Sequence, residues 1–444
     1  MSSGPGVAHR LHGPGGRRAI LCMALLVALP GSAGAFDVDY EIGVAAIHSD
    51  NIALDDEAGT SDTVLAPRLR FALERQGSAA TLQARGQVEY RDYLDDTFAS
   101  EWRGELAGQF DWSIIPQRVS LVLEDYLSQQ PVDLGVGLSP GNLQRVNVFV
   151  GGPSFHARLG DATRARLDLR AANSHAEESE DFNGDRYSAA LRVQRELSPT
   201  QQASLNAVAT RAEFDEAGEA ADYSRVDAFV SYRHEYARGY AELDLGRSRL
   251  SPETDGSRVT ATLARADLVW TPSARSRLHA NARYQLADST QDLILRQSDL
   301  SETGIPELVA STLPVNPDVY RQRRFNLDYR YRGDRFELRL RPRYRSHRYL
   351  RTALDDHEDY SGYAEFAYRA RPRLTLSLQA TALNREFLVT QRKDRDRVYG
   401  IQADWLWTRH LTSQIGFHRN TRDSTAPGAD YAENAISVAL MWRR

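Results

Sequence analysis

The chain has 444 residues, 41% of them hydrophobic, and its 55 basic and 60 acidic side chains leave a formal net charge of -5. That length suggests two or three soluble domains, yet no linker, composition break or long amphipathic helix divides it. The near-balanced charge argues against bulk nucleic-acid binding, and with Lys393 the only lysine, arginine supplies nearly all the positive charge.

Residues 1–35 read as a secretory signal. Arg10, Arg17 and Arg18 form a positive n-region, Ala19 to Leu29 an apolar h-region, and Ala33-Gly34-Ala35 a small-residue cleavage pattern. The apolar run is too short to span a bilayer as a helix. Cys22 lies within it, so the mature chain is expected to contain no cysteine and no disulfide.

From there the chain alternates with period two. A first strand spans Val38 to Ala46, and a polar loop follows from His48. Leu65, Pro67, Leu69, Phe71 and Leu73 then alternate with Arg68, Arg70, Ala72 and Glu74. A turn at 76–78 leads to Leu82, Ala84, Gly86, Val88 and Tyr90, interleaved with Gln83, Arg85, Gln87, Glu89 and Arg91. Period two is the strand signature, and tight Gly/Pro/Asp turns between such runs signal hairpins. Further tight turns fall at 115–117, 159–161, 198–200, 236–237, 271–273, 333–334, 371–372 and 408–410. Longer polar connections, such as 128–144, 176–184, 215–222 and 289–319, lie between them.

Nine hairpins, the unpaired first strand and a last strand at 432–442 make twenty strands, within a range of eighteen to twenty-two. Strands without a separate core segment can bury their backbone in lipid only as a closed ring. The expected fold is all-β: a transmembrane antiparallel up-and-down β-barrel over residues 36–444, in a cell outer membrane. Short turns then occupy one side and long loops the other. A β-helix or propeller would need a fixed repeat, and the sequence has none.

Phe325 to Arg345 is the clearest hairpin. Phe336, Leu338, Leu340, Pro342 and Tyr344 share the lipid face. The candidate lumen-facing arginines are Arg324, Arg330, Arg332, Arg335, Arg339, Arg341, Arg343 and Arg345. Arg164, Arg166, Arg170, Arg186, Arg192 and Arg211 are read as inward too. Guanidinium matches carboxylate and phosphate bidentately, so this lumen could conduct an anionic polymer or solute. The alternative is a set of structural ladders with Glu89, Glu105, Asp168, Asp328 and Glu337.

Tyr90, Tyr93, Trp112, Trp270, Trp405, Trp407 and Trp442 stand near strand ends, where interfacial girdles belong. Pro67, Pro153 and Pro342 each remove a ladder hydrogen bond and are expected at bulges or strand ends. Ile436, Val438, Leu440 and Trp442 alternate as a terminal strand for the barrel-assembly machinery should, although Arg443 and Arg444 follow them. Acidic loop clusters, such as Asp355-Asp356 with Glu358-Asp359, are either solvated or bridged by divalent cations to lipopolysaccharide. The apolar patch Ile305, Leu308, Val309 and Leu313 marks the 289–319 connection as a constriction that folds inward.

Little points to catalysis. Gly137-Leu138-Ser139-Pro140-Gly141 matches a nucleophile elbow, but the residue after the serine must lend its N–H to an oxyanion hole, and Pro140 has none. The mature chain's histidines are scattered without ligand spacing. No catalytic, cofactor or metal site is predicted, and a barrel enzyme is a distant alternative.

The stretches Ser49–Ile52 (SDNI), Tyr90–Asp96 (YRDYLDD) and Asn147–Pro153 (NVFVGGP) resemble the outer-membrane β-barrel family associated with PEP-CTERM/exosortase and exopolysaccharide loci. The likeness in layout covers nearly the whole mature chain. It implies a channel or scaffold that serves exopolysaccharide or surface-protein export, with outer-membrane lipid, lipopolysaccharide and secretion components as partners. A porin for small anionic solutes is the second class.

N-terminal sequencing of the protein recovered from the outer-membrane fraction should begin near Phe36. An intact Cys22 in that material would contradict the signal reading.

Overall fold

The structure is a computed structural model that describes residues 36–444 apart from 57–58, 216–220, 255–256 and 301–314. The expected secretory segment, with its pattern at Ala33–Ala35, lies outside the described residues. So does the apolar patch at Ile305, Leu308, Val309 and Leu313.

The alternating runs form twenty strands. They are β1 (Asp37–Ser49), β2 (Asp62–Gln76), β3 (Ala80–Tyr93), β4 (Glu101–Ile115), β5 (Val119–Pro131), β6 (Leu143–Arg158) and β7 (Thr163–Ala176). Then come β8 (Gly184–Ser198), β9 (Gln201–Phe214), β10 (Tyr223–Tyr236), β11 (Gly239–Pro252), β12 (Val259–Ser273) and β13 (Ser276–Ala287). A helix, α1 (Ser289–Leu300), follows β13. The rest are β14 (Tyr320–Arg332), β15 (Phe336–Tyr349), β16 (His357–Arg371), β17 (Leu374–Phe387), β18 (Lys393–Leu406), β19 (Leu411–Ser424) and β20 (Tyr431–Arg443). Each pairs antiparallel with its sequence neighbours, and β1 pairs with β20 from Glu41↔Arg443 to Ser49↔Ala435, which closes the ring.

Nine short turns lie at one end and ten longer connections at the other. The turn expected at 271–273 comes two residues later, because β12 runs on to Ser273 through an irregularity after Trp270. Similar register shifts occur beside the turns of β4, β8 and β16. An extra residue there bends and twists the strand locally.

One face of every strand is apolar and exposed, as with Leu205 at 64%, Ile415 at 59% and Leu378 at 54%. The opposite face carries polar and charged groups, many of them buried. That is inside-out for a protein in water and right for one in lipid. Trp112, Trp270, Trp405, Trp407 and Trp442 gather at the short-turn end, and Tyr90 packs on Trp102 (centroids 4.9 Å apart) towards the other. No helix among the described residues is long and apolar enough to cross a membrane. The chain is an outer-membrane β-barrel.

Two placements differ from the sequence reading. Tyr93 is no girdle residue: it is 2% exposed, on the lumen face, with its hydroxyl donated to Glu101 at 2.8 Å. Arg211 points outward, because it pairs across from exposed Tyr187 and not from lumenal Arg186. It lies near the long-loop end of β9, where Glu213 (2.7 Å) and Glu253 (3.3 Å) can meet it in water.

The prolines mark neither bulges nor strand ends. Each sits mid-strand beside a ladder that skips two pairs without losing register: Leu65↔Asp92 to Arg68↔Glu89, Gly151↔Ala171 to Ser154↔Asp168, and Asn326↔Arg343 to Tyr329↔Leu340. At Pro153 the freed carbonyls find a donor, as Arg170 Nη1 reaches the oxygens of Gly152 (3.2 Å) and Pro153 (2.9 Å).

The lipid face can be checked on β15. Leu340→Arg should lower the unfolding free energy in lipid vesicles by about 2–4 kcal/mol. Arg332→Gln, on the lumen side with 62% of its side chain exposed, should stay within about 0.5 kcal/mol. Equal losses in a denaturant titration would mean that the faces are reversed.

Candidate functional site

The twenty-strand ring encloses more space than its wall side chains fill, so the occupants of the lumen decide what the barrel can do. At the long-loop end two connections reach inward. The first begins at Asp288, which caps α1 by accepting the Gln291 N–H on Oδ1 at 3.0 Å. Its other oxygen accepts from Arg186 Nη1 (2.8 Å) and the Tyr223 hydroxyl (2.9 Å), with Arg225 Nη1 at 3.7 Å. One helical turn on, Asp292 accepts from the Tyr320 hydroxyl (2.8 Å) and from Gln322, and Arg324 Nη1 lies 4.0 Å from its Oδ1. Both carboxylates are 1% exposed.

Leu293, the next residue along α1, and Val315 pack instead into a buried cluster with Tyr126, Val146, Val148 and Phe182 on and beside β5–β7. In a ring of twenty, β6 and β14 are eight strands apart by the shorter route. The start of α1 therefore lies across the lumen.

The second connection joins β5 to β6 and extends towards β17–β19. Arg385 Nη1 donates to the Leu134 carbonyl at 3.2 Å, Arg422 Nη1 to that of Gly135 at 3.2 Å, and Arg392 also to Gly135. Inside the loop, Asn142 Nδ2 donates to the carbonyls of Asp133 (2.8 Å) and Gly137 (3.0 Å). The Gly137–Gly141 stretch belongs to this loop, and Pro140–Asn142 form one 3-10 turn. Behind it, Arg385 holds Asp359 bidentately (2.9 and 3.2 Å) and Arg422 holds Asp396 (2.6 and 3.2 Å). A small pocket remains between loop and wall, lined by Leu134, Val136, Arg385, Asp396, Arg422 and Tyr431 among others.

The arginines singled out in the sequence fall into three groups. Arg339 and Arg341 both reach Asp328 (3.1 and 2.6 Å), and Arg330 and Arg332 share Glu337, with Arg332 at 3.6 Å. Arg324 and Arg345 are buried and lie directly opposite each other, while Arg343 is half-buried opposite Asn326. Arg335 is exposed in the turn before β15 and forms no part of the wall row. The opposed pair belongs to a longer row, Asp244–Arg265–Arg283–Arg324–Arg345–Asp359, one residue from each of β11 to β16. Four guanidinium groups thus follow one another around the wall. Sequence reading missed Arg225, Asp288, Asp292, Arg385 and Arg422, although the single acid just before a helical stretch at Asp288 is a capping signal.

No protein-family model matches the chain, and no curated protein matches it in sequence. Among solved structures it is similar to the FrpB iron transporter from Neisseria meningitidis, at 8% identity and a TM-score of 0.43 over 95% of this chain and 83% of that one. It is also similar to a variant of the ferric enterobactin receptor PfeA from Pseudomonas aeruginosa, at 11% identity and 0.48 over 92% and 80%. The outer membrane protein opdK from Pseudomonas aeruginosa gives 9% and 0.40 over 92% and 99%. Function is therefore read from this chain's own residues.

Burial opposes the charge on Asp288, but Arg186 and Arg225 outweigh it and hold the carboxyl down to about 2. A depressed value stabilises the docked state fully above the ordinary 3.8, and that gain is lost as pH falls through about 2. Acidification to about pH 4 should leave α1 docked; below that, docking should weaken by up to roughly 2 kcal/mol. Proteolysis of the 289–319 connection against pH, with an acid-stable protease, checks this. New cleavage already near pH 6 would contradict it.

Proposed function

We propose that the chain is a gated outer-membrane conduit for anionic cargo, shut at rest by its own extracellular connections. Its cargo class on this reading is acidic exopolysaccharide, or surface protein exported alongside it. The observation that carries the reading is α1, held across the mouth by buried charge pairs above a wall whose lumen rows are rich in arginine. A scaffold alone has no use for a wide polar lumen, and a constitutive porin has none for two connections anchored across its mouth. Arginine suits the task because its planar fork binds carboxylates bidentately and stays charged at any working pH. The porin reading for small anionic solutes shares this wall and differs in cargo size. No reaction is assigned.

Replacing 290–314 with a short Gly/Ser linker should turn a quiet barrel into a conducting one in planar bilayers. Its reversal potential under a salt gradient should show anion preference, and this should fade with salt as the screening length falls to about 10 Å at 0.1 M. Arg339→Glu with Arg341→Glu in that background should shift selectivity towards cations. A silent or cation-selective deletion variant would overturn the reading. Blockade of the current by a long uronate polymer, against short carboxylates alone, separates polymer conduit from small-solute porin.

A further inference from the structure

The anchors of α1 have an odd division of labour. Among the described residues, apart from the helix cap at Gln291, the groups that meet the side chains of Asp288 and Asp292 stand on the barrel wall. Arg186 is on β8, Tyr223 and Arg225 on β10, and Tyr320, Gln322 and Arg324 on β14. The wall thus presents two preformed carboxylate cradles, each joining guanidinium to a tyrosine hydroxyl. Their present occupants come from a connection that is not part of the wall.

The fit is uneven. Asp288 is fully engaged, while among the described residues Asp292 Oδ1 is buried without a hydrogen-bond donor, with Arg324 4.0 Å away. Asp292 also sits at the centre of the arginine row on β12–β15, where like charges stand directly opposite one another. Like charges so placed cost stability, and Asp292 joins Asp244 and Asp359, at the two ends of the row, in offsetting them. A ligand carboxylate that paired both of its oxygens there would be held better than Asp292 is.

We propose that these cradles are carboxylate-binding sites of the conduit, held at rest by Asp288 and Asp292 and taken over by a uronate-bearing oligosaccharide, which thereby frees α1. The proposal rests on the conduit reading and adds to it a named site and ligand class. Asp288 and Asp292 are four residues apart on a helix, a rise of roughly 6 Å, so the ligand carries carboxylates at about that repeat. A stiff sugar chain loses less freedom on binding than a flexible polyanion, and the tyrosine hydroxyls suit its ring hydroxyls.

Asp288→Asn with Asp292→Asn keeps side-chain volume but vacates the charge sites. Binding of oligogalacturonate to the purified barrel, measured by calorimetry, should tighten about tenfold or more over wild type, since each displaced charge-assisted bond contributes about that factor. Adding Arg186→Gln and Arg324→Gln should remove that binding. A neutral maltooligosaccharide should bind neither protein. The heat-modifiable shift of folded barrel on a gel confirms that each variant folds. Equal affinity in wild type and the Asp→Asn pair, or retained affinity after loss of both arginines, would overturn the proposal. Equal binding of oligoglutamate at matched carboxylate would overturn the uronate assignment. If the linker variant conducts anions while the Asp→Asn pair gains no affinity, this inference falls and the conduit stands; the reverse result removes the conduit and keeps the site.

Discussion

Every backbone N–H and C=O that enters hydrocarbon has to be paired there, because no water is present to replace a missing partner. The rest of this structure follows from that constraint. It forbids a free edge, so β20 returns to β1. It puts apolar side chains outside and leaves the polar rows inside, which is why a chain with so little net hydrophobicity can live in a membrane. It also explains why three mid-strand prolines are tolerated only where the neighbouring ladder skips without a change of register.

Closing a ring of this size creates a second requirement. The lumen is too wide for the wall to fill, so it holds either water or the chain's own connections. Here α1 and the β5–β6 loop occupy the mouth, and the contacts that hold them are charged. Buried ion pairs gain little over an apolar core, yet breaking one by removing a partner is costly. Such pairs suit an element that must be held firmly and still be exchangeable for another charged group. Wall and helix also need each other: Asp292 sits on the arginine row, whose ends are closed by Asp244 and Asp359.

Strand count, turn positions and face assignment were legible because each depends on residues close in sequence. Leu338 and Arg339 announce their faces by alternation alone, and Gly333-Asp334 announces its turn. The site was less legible for the opposite reason. Asp288 meets Arg186 across 102 residues, and Arg385 meets the Leu134 carbonyl across 251. Those meetings are set by the curvature that brings distant strands face to face, and no local pattern encodes them. Arg211 and Tyr93 show a subtler limit. Arg211 lies beyond the lipid, where outward charge is permitted, so polarity no longer reports the face; only the phase carried up from Leu205 does. Tyr93 shares its face with Glu89, and aromatic character alone misplaced it.

The junction of β1 with β20 joins nine positions, whereas β1 meets β2 over thirteen. Those strands are also the first and the last of the twenty in chain order, so this line cannot close until both are in place. The ring thus has a built-in seam, the last line to close and one of the shorter ones to hold. Heat or lateral tension that parts the wall there leaves two unpaired strand edges that face each other across lipid and can pair again only with one another or with another chain.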